Sequence, residues 1–280
     1  MPLPTISDKR RAFRALHEQG CFVIPNPWDV GTARYLQHLG FKALASTSAG
    51  FAFAQGLPDA GVSRDMMLGH LREIVSVTDL PVNADFEGGY ADAPDEVAAN
   101  VTLCAATGVA GLSIEDSTGD KEKPLYDFDL AVARLRAARA ALDRDGGGVV
   151  LTARTEGFLV GRPDLDETIR RLKAFASAGA DCLYAPGLRT PDLIGAVIRA
   201  VAPKPVNIIM SGALGISVAD LAGLGARRIS VGSALARVAW GAVMRAAKEI
   251  AGPGRFDAFA DAAPHAELNA FFRDDMTRRP

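Results

Sequence analysis

The sequence predicts an α/β chain folded as a (β/α)8 barrel with extra C-terminal helices. Three observations carry this reading. Eight short β-branched runs alternate with longer segments whose apolar residues fall at three-to-four spacing, the pattern of parallel strands covered by helices. A glycine follows a helical segment on the way into every even strand. The first strand leads into Pro25–Asn26–Pro27–Trp28–Asp29, and not into the glycine-rich phosphate turn of a doubly wound open sheet.

The predicted strands are Phe22–Pro25, Lys42–Ser46, Pro81–Asp85, Gly111–Glu115, Val149–Ala153, Asp181–Ala185, Pro205–Ile209 and Arg228–Val231. Between them, helical periodicity covers Arg64–Thr78, Asp95–Ala106, Asp127–Leu142, Leu165–Ser177 and Pro191–Val201. Thr190 before Pro191 is an N-cap signal, and Ser217 with Asp220 has the spacing of a capping box. Gly40, Gly108, Gly179 and Gly225 precede the even strands, whereas odd strands are entered through Leu80–Pro81, Lys204–Pro205 or the Gly146–Gly148 run. That two-strand period fits a closed barrel, whose inner layers are filled from alternate strands. No linker composition divides the chain, so residues 1–280 read as one barrel domain. Residues 233–280 read as C-terminal helices, including Phe256–Ala262 and Ala266–Arg273, with enough aromatic surface for a subunit interface.

Composition narrows the function. The chain has 280 residues, 49% of them hydrophobic and 23% charged, with net charge −2. No excess of positive charge is present to grip a phosphate backbone, so nucleic acid is not an expected partner. Lys9–Arg10–Arg11 reads as a solvated helix face. No 18-residue apolar run is present, which argues against a membrane span, and the N-terminus lacks a signal-peptide pattern. Cys21, Cys104 and Cys182 have apolar neighbours and read as small buried side chains, making the cytoplasm the expected compartment. His17, His38, His70 and His265 read as peripheral.

In a barrel, reactive groups sit at the C-terminal ends of strands. Here those ends read Ser46–Thr47–Ser48–Ala49–Gly50, Asn83–Ala84–Asp85–Phe86–Glu87, Ser113–Ile114–Glu115–Asp116 and Thr152–Ala153–Arg154–Thr155–Glu156. Asp85 and Glu87, at i and i+2, can point the same way. With Glu115 and with Asp59 from the preceding loop, they form a candidate oxygen cage for Mg²⁺ or Mn²⁺. So many acids in one place would repel one another without a cation. Arg154 is placed either to grip a substrate carboxylate or to pair with Glu156 or Glu115. Ser48 and the Ala49 N–H are candidates for holding substrate oxygens.

These motifs, with Gly56–Leu57–Pro58–Asp59 and Gly88–Gly89–Tyr90, resemble the isocitrate lyase/phosphoenolpyruvate mutase superfamily over nearly the whole chain. The resemblance implies a (β/α)8 barrel with a helix swapped between subunits of a homodimer or homotetramer. It implies Mg²⁺ at Asp85, supported by Asp59, Glu87 and Glu115, and substrate oxygens held by Ser48, Ala49 and Arg154. The shared chemistry passes through the enolate of a small 2-oxo acid. The chain departs from the family where the lyases of isocitrate and 2-methylisocitrate carry a Lys-Lys/Arg-Cys-Gly-His loop. It has Ser117–Leu125 there, without cysteine or histidine. Lys121 or Lys123 is then a candidate for supplying charge or a proton, and the Ser117–Leu125 loop and the residues after Tyr184 and Asn207 are candidates for choosing the substrate. The resulting expectation is an Mg²⁺-dependent carbon–carbon lyase acting on a small 2-hydroxy or 2-oxo di- or tricarboxylate. Arg154, Glu115 and Lys121 are its candidate catalytic residues, and Ser48, Ala49, Asp85, Arg154 and Asn207 its candidate substrate contacts. The alternatives are carbon–phosphorus chemistry of the phosphonopyruvate hydrolase or mutase type, and a 2-oxo acid sensor without turnover.

Overall fold

The computed structural model describes residues 3–144 and 146–278. The chain divides into two compact units, Met1–Ser233 and Ala234–Pro280. The first begins with α1 (Ile6–Leu16), opened by a capping box between Thr5 and Asp8. Eight strands follow: β1 (Phe22–Ile24), β2 (Leu44–Ala45), β3 (Val82–Asp85), β4 (Gly111–Glu115), β5 (Val150–Arg154), β6 (Cys182–Tyr184), β7 (Val206–Ile209) and β8 (Arg228–Ser230). The helices between them are α2 (Val30–His38), α3 (Ser48–Ala54), α4 (Arg64–Ser76), α5 (Pro94–Ala105), α6 (Phe128–Arg144), α7 (Leu165–Ser177), α8 (Pro191–Val201) and α9 (Val218–Gly223). The predicted caps form: Thr190 accepts from the Leu193 N–H, and Ser217 and Asp220 make a full capping box.

All seven ladders are parallel, in the order β1-β8-β7-β6-β5-β4-β3-β2. The remaining seam, between β1 and β2, is bridged by the Ala45 N–H donating to the Pro25 carbonyl at 3.0 Å. The result is a nearly closed (β/α)8 barrel. Gly40, Gly108, Gly179 and Gly225 have φ of 85°, 92°, 103° and 94°, so the repeated glycine marks the left-handed residue that ends a helix before each even strand. One register row, Glu115–Arg154–Tyr184–Asn207–Arg228, carries polar side chains around half the barrel.

The N-terminal ends of the strands are covered by α1. Phe13 is fully buried there with Ile24, Ala43, Ala110 and Val150. Two expectations are corrected at this end. Lys9 and Arg10 are not a solvated face: Lys9 donates to the Val75 and Thr78 carbonyls, and Arg10 to those of Ala105 and Val109. These contacts satisfy carbonyls at or just beyond helix ends that have no partner in the helix itself. The histidines are not all peripheral either. His70 is buried and stacked on Phe51 at 3.9 Å, and His17 packs edge-on between Phe13 and Phe22. Of the cysteines, Cys104 and Cys182 are buried and Cys21 is partly so.

The second unit holds α10 (Ala234–Ala251), a 3₁₀ turn (Asp257–Asp261) where an α-helix is predicted, and α11 (His265–Arg278). Glu249 ties it together, accepting from the Ala258 N–H at 3.0 Å and lying 3.6 Å from Arg255. No helix among the described residues is long and apolar enough to cross a membrane.

Candidate active site

The site is built at the C-terminal ends of β2 to β6. β2 runs through Ser46 and Thr47 into α3, where Thr47 caps the helix by accepting from the Gly50 N–H. This turn grips β3. The Ser46 hydroxyl accepts from the Asp85 N–H at 2.8 Å, and the Ser48 N–H and hydroxyl both donate to Asp85 Oδ2, at 3.0 and 2.9 Å. Asp85 therefore has one oxygen fixed by the chain, while Oδ1 lies 3.5 Å from Arg154 Nη1. Ala49 sits in the first turn of α3, between the N–H groups of Ser48 and Gly50 that Asp85 and Thr47 take up, and its own N–H has no acceptor within the helix.

Beyond β3 the backbone is strained. Glu87 and Tyr90 have φ of 47° and 56°, and Ala60, beside Asp59, has φ of 61°. Side chains rarely adopt this left-handed region, at about 1–3 kcal/mol each, and such residues gather at functional sites. All three lie on the segments that carry acids.

Arg154 is the hub. Its guanidinium meets Glu156, lies 3.3 Å from Glu115 Oε2, and stands over the Tyr184 ring with Cζ 5.1 Å from the centroid. Burial alone would lower its pKa, but Glu115 and Glu156 hold it well above the usual arginine value. The paired and the substrate-gripping readings of Arg154 thus meet in one place: a carboxylate ligand would take donors now shared among acids. Behind the hub, Asp116 is buried, accepting from Thr155, the Glu156 N–H and Arg171. It fixes the turn after β5.

The acids carry the electrostatic signature of a cation site. Burial, then Asp85 and Asp59, push the Glu87 carboxyl up to about 7. Burial and Asp85 raise Asp59. Burial also raises Glu115, with Glu156, Asp85 and Glu87 adding to the shift and Arg154 opposing it. Glu87 Oε1 is buried with no hydrogen-bond partner among the described residues. Among those residues no three histidine, cysteine or carboxylate side chains converge as direct metal ligands. Acids raised by one another and an unpaired buried carboxylate oxygen are donors of the hard kind that suit a divalent cation.

Not every predicted residue comes to this point. Lys121 is exposed on the Ser117–Leu125 loop. That loop is closed on itself by a Ser117–Leu125 bridge and by the Thr118 N–H donating to the Pro124 carbonyl. Asn207 lies below the mouth, buried, with Oδ1 accepting from Arg228 at 2.9 Å and Nδ2 donating to Ser230 at 2.9 Å. It lines a cavity of about 50 Å³ together with Ser46, Asn83, Asp85, Arg154 and Tyr184, with Arg228 and Ser230 on its far wall. Tyr184, Ser230 and Arg228 were not singled out from the sequence. Their signal was present in polar residues at alternate positions along one strand, Asn83/Asp85, Ser113/Glu115, Thr152/Arg154 and Arg228/Ser230, which places them all on one face.

The chain matches the phosphoenolpyruvate phosphomutase family over residues 13–251. It is 31% identical to an oxaloacetate decarboxylase of Paraburkholderia xenovorans, over 81% of this chain and 76% of that protein. It is 30% identical to a Corynebacterium glutamicum protein provisionally named 2-methylisocitrate lyase 2, over 92% and 86% of the two chains. Among solved structures, a Burkholderia cenocepacia protein provisionally described as a lyase/mutase superposes with TM-score 0.91 at 49% identity, covering 95% of this chain and 96% of its own. A 2,3-dimethylmalate lyase gives TM-score 0.83 at 29% identity, over 99% and 97%. A phosphonopyruvate hydrolase bound to oxalate and Mg²⁺ gives 0.83 at 26%, over 96% of each chain.

Proposed function

The chain belongs to the phosphoenolpyruvate phosphomutase family, and from that premise we propose that it is an Mg²⁺-dependent lyase that cleaves a carbon–carbon bond in a small 2-hydroxy or 2-oxo di- or tricarboxylate. The observation that carries this reading is the pairing of Asp85, held by Ser48, with Arg154 across a mouth lined by raised acids. Relatives named for oxaloacetate, 2-methylisocitrate and 2,3-dimethylmalate support the substrate class.

Asp85 would hold the ion, with Asp59, Glu87 and Glu115 positioning its waters; Mn²⁺ suits the same oxygen set. Bound there, the ion would supply Lewis acidity toward the substrate's oxygens. The chain's own part is binding and charge placement. Arg154 offers a fork of donors to a carboxylate and offsets negative charge that develops as the bond breaks. The Ala49 N–H and the Ser48 hydroxyl hold a second oxygen. Glu115 and Glu156 keep the arginine aimed into the mouth. Lys121, on the loop above, is the cation available to approach when a ligand draws that loop down.

The exposed apolar residues of the second unit support assembly into a homodimer or homotetramer. Val238, Val243, Met244 and Trp240 are 71%, 57%, 51% and 44% exposed along α10. Contiguous apolar surface of this kind marks an interface.

The test is a screen of oxaloacetate, alkylmalates, alkylisocitrates and phosphonopyruvate with Mg²⁺ or with chelator. The expected result is metal-dependent release of pyruvate, succinate or CO₂ from a carboxylate substrate. Phosphate from phosphonopyruvate, with no carboxylate cleaved, would favour the second reading, which the phosphonopyruvate hydrolase neighbour supports. Tight oxalate binding with no product from any acid would leave a sensor and end the lyase reading.

A further inference from the structure

The interior of the barrel below the mouth is organised around a buried cation that the proposed chemistry does not use. Arg228, on β8, is 3% exposed. Its side chain makes three hydrogen bonds: Nε to Asn207 Oδ1 at 2.9 Å, Nη2 to Thr152 Oγ1 at 3.0 Å, and Nη1 to His17 Nε2 at 3.3 Å. None of these partners is an acid. His17 is fixed as the acceptor, because its Nδ1 lies 2.8 Å from the Phe13 carbonyl and must carry the hydrogen. A buried guanidinium whose described partners are all neutral carries an uncompensated desolvation cost, which apolar residues filling a barrel layer would not.

Two routes lead from Arg228 to Arg154. Along the register row, Asn207 passes on to Ser230 at 2.9 Å, and Ser230 faces the Tyr184 hydroxyl. Tyr184 is the register neighbour of both Asn207 and Arg154, and its ring carries the Arg154 guanidinium. Across the barrel, Thr152 is two residues before Arg154 on the same face of β5. Between the routes lies the cavity of about 50 Å³, room for a few waters, lined by Tyr184, Arg154, Asn207, Arg228 and Ser230. Asn83 Oδ1, on the same cavity, is buried with no hydrogen-bond partner among the described residues.

We propose that Arg228 is a positioning residue that sets the stance of the Tyr184–Arg154 pair through Asn207, Ser230 and Thr152. In place of an apolar layer, the barrel uses one rigid five-donor fork to fix three strands at once. This rests on the reading of Arg154 as the group that grips a substrate carboxylate.

The test compares Arg228→Gln, Ser230→Ala and the double variant, each with folding confirmed by circular dichroism. Mg²⁺-oxalate affinity is measured by calorimetry, and KM and kcat on any substrate found. Arg228→Gln is expected to weaken oxalate binding and raise KM about tenfold, the scale of one charge-assisted hydrogen bond, with kcat changed less. Ser230→Ala is expected to shift both in the same direction by less. The double variant is expected to be no worse than Arg228→Gln alone, because both act on one route. A lower melting temperature with unchanged oxalate affinity, or losses that multiply in the double variant, would overturn the proposal. Should Arg228→Gln not fold, Ser230→Ala decides alone, and unchanged affinity overturns it. Should the wild type bind no oxalate, the carboxylate grip fails as a reading of function. Crystal structures of the wild type and Ser230→Ala then settle the positioning claim: a displaced Arg154 supports it and superposed guanidinium groups reject it.

Discussion

At the N-terminal end of the barrel, Lys9, Arg10 and Arg228 donate to carbonyls and neutral side chains, and Arg14 and Arg139 share Asp181. At the C-terminal end, Asp85, Glu115 and Glu156 crowd around one arginine, Glu87 Oε1 has no partner, and three residues take left-handed backbone. One end gathers cations around carbonyls, neutral side chains and one shared acid, and the other gathers several acids around one arginine. The difference separates a face that stabilises from a face that waits for a ligand.

The largest way to break the comparison is Asp85→Ala. If the acid-rich end serves an ion, this variant loses about 10³-fold or more in metal-dependent turnover while its circular dichroism stays that of the folded protein. Full activity would show that the acids are ordinary surface charge. The second is Phe13→Ala at the N-terminal end. Phe13 is fully buried, and its loss should cost about 3–5 kcal/mol in urea unfolding without changing oxalate affinity in the folded protein. A changed affinity would mean the two ends are not separable.

A pH series sharpens the contrast with smaller effects. Burial, then Arg228, lowers His17 to about 3, and burial lowers His70 to about 4. Both stay neutral in the fold while the unfolded chain takes up protons below its usual histidine value near 6.5. Stability is therefore lost as pH falls from about 6.5 toward 4, by up to about 1.4 kcal/mol per pH unit for buried His70. Glu87 has the opposite sign. Its folded value near 7 lies above the unfolded 4.5, so the metal-free fold binds more protons and loses stability as pH rises through that interval. Urea unfolding at pH 5 to 8, with and without Mg²⁺, should show an acid-side loss that the metal does not touch and a neutral-side loss that it relieves. His17→Gln should flatten only the first.

Most of the barrel was legible in the sequence because its signals are local. The glycine before each even strand is a helix-ending residue, the strand runs are short and β-branched, and the acids stand at strand ends. The interior network was not legible because its partners are far apart in sequence. His17 meets Arg228 across 211 positions, and Arg10 reaches a carbonyl 99 positions away. No periodicity records such a pairing. The same limit explains why Lys9–Arg10 reads as a solvated face. Local pattern shows which way a side chain points, and only the closed sheet shows what it meets.

The seam between β1 and β2 adds a further consequence. β2 is two residues long and holds β1 by a single backbone hydrogen bond, yet it leads straight into Ser46, Ser48 and Ala49. Every other strand boundary is a full ladder. Asn26 spans the same seam, its Nδ2 donating to the Ser46 carbonyl at 2.8 Å and its Oδ1 accepting from the Val231 and Gly232 N–H groups of the β8 side. The oxygen-holding turn is thus tied to β3 through Asp85 and to β1 and β8 through the single side chain of Asn26, so loss of that one amide would loosen the turn from one side only.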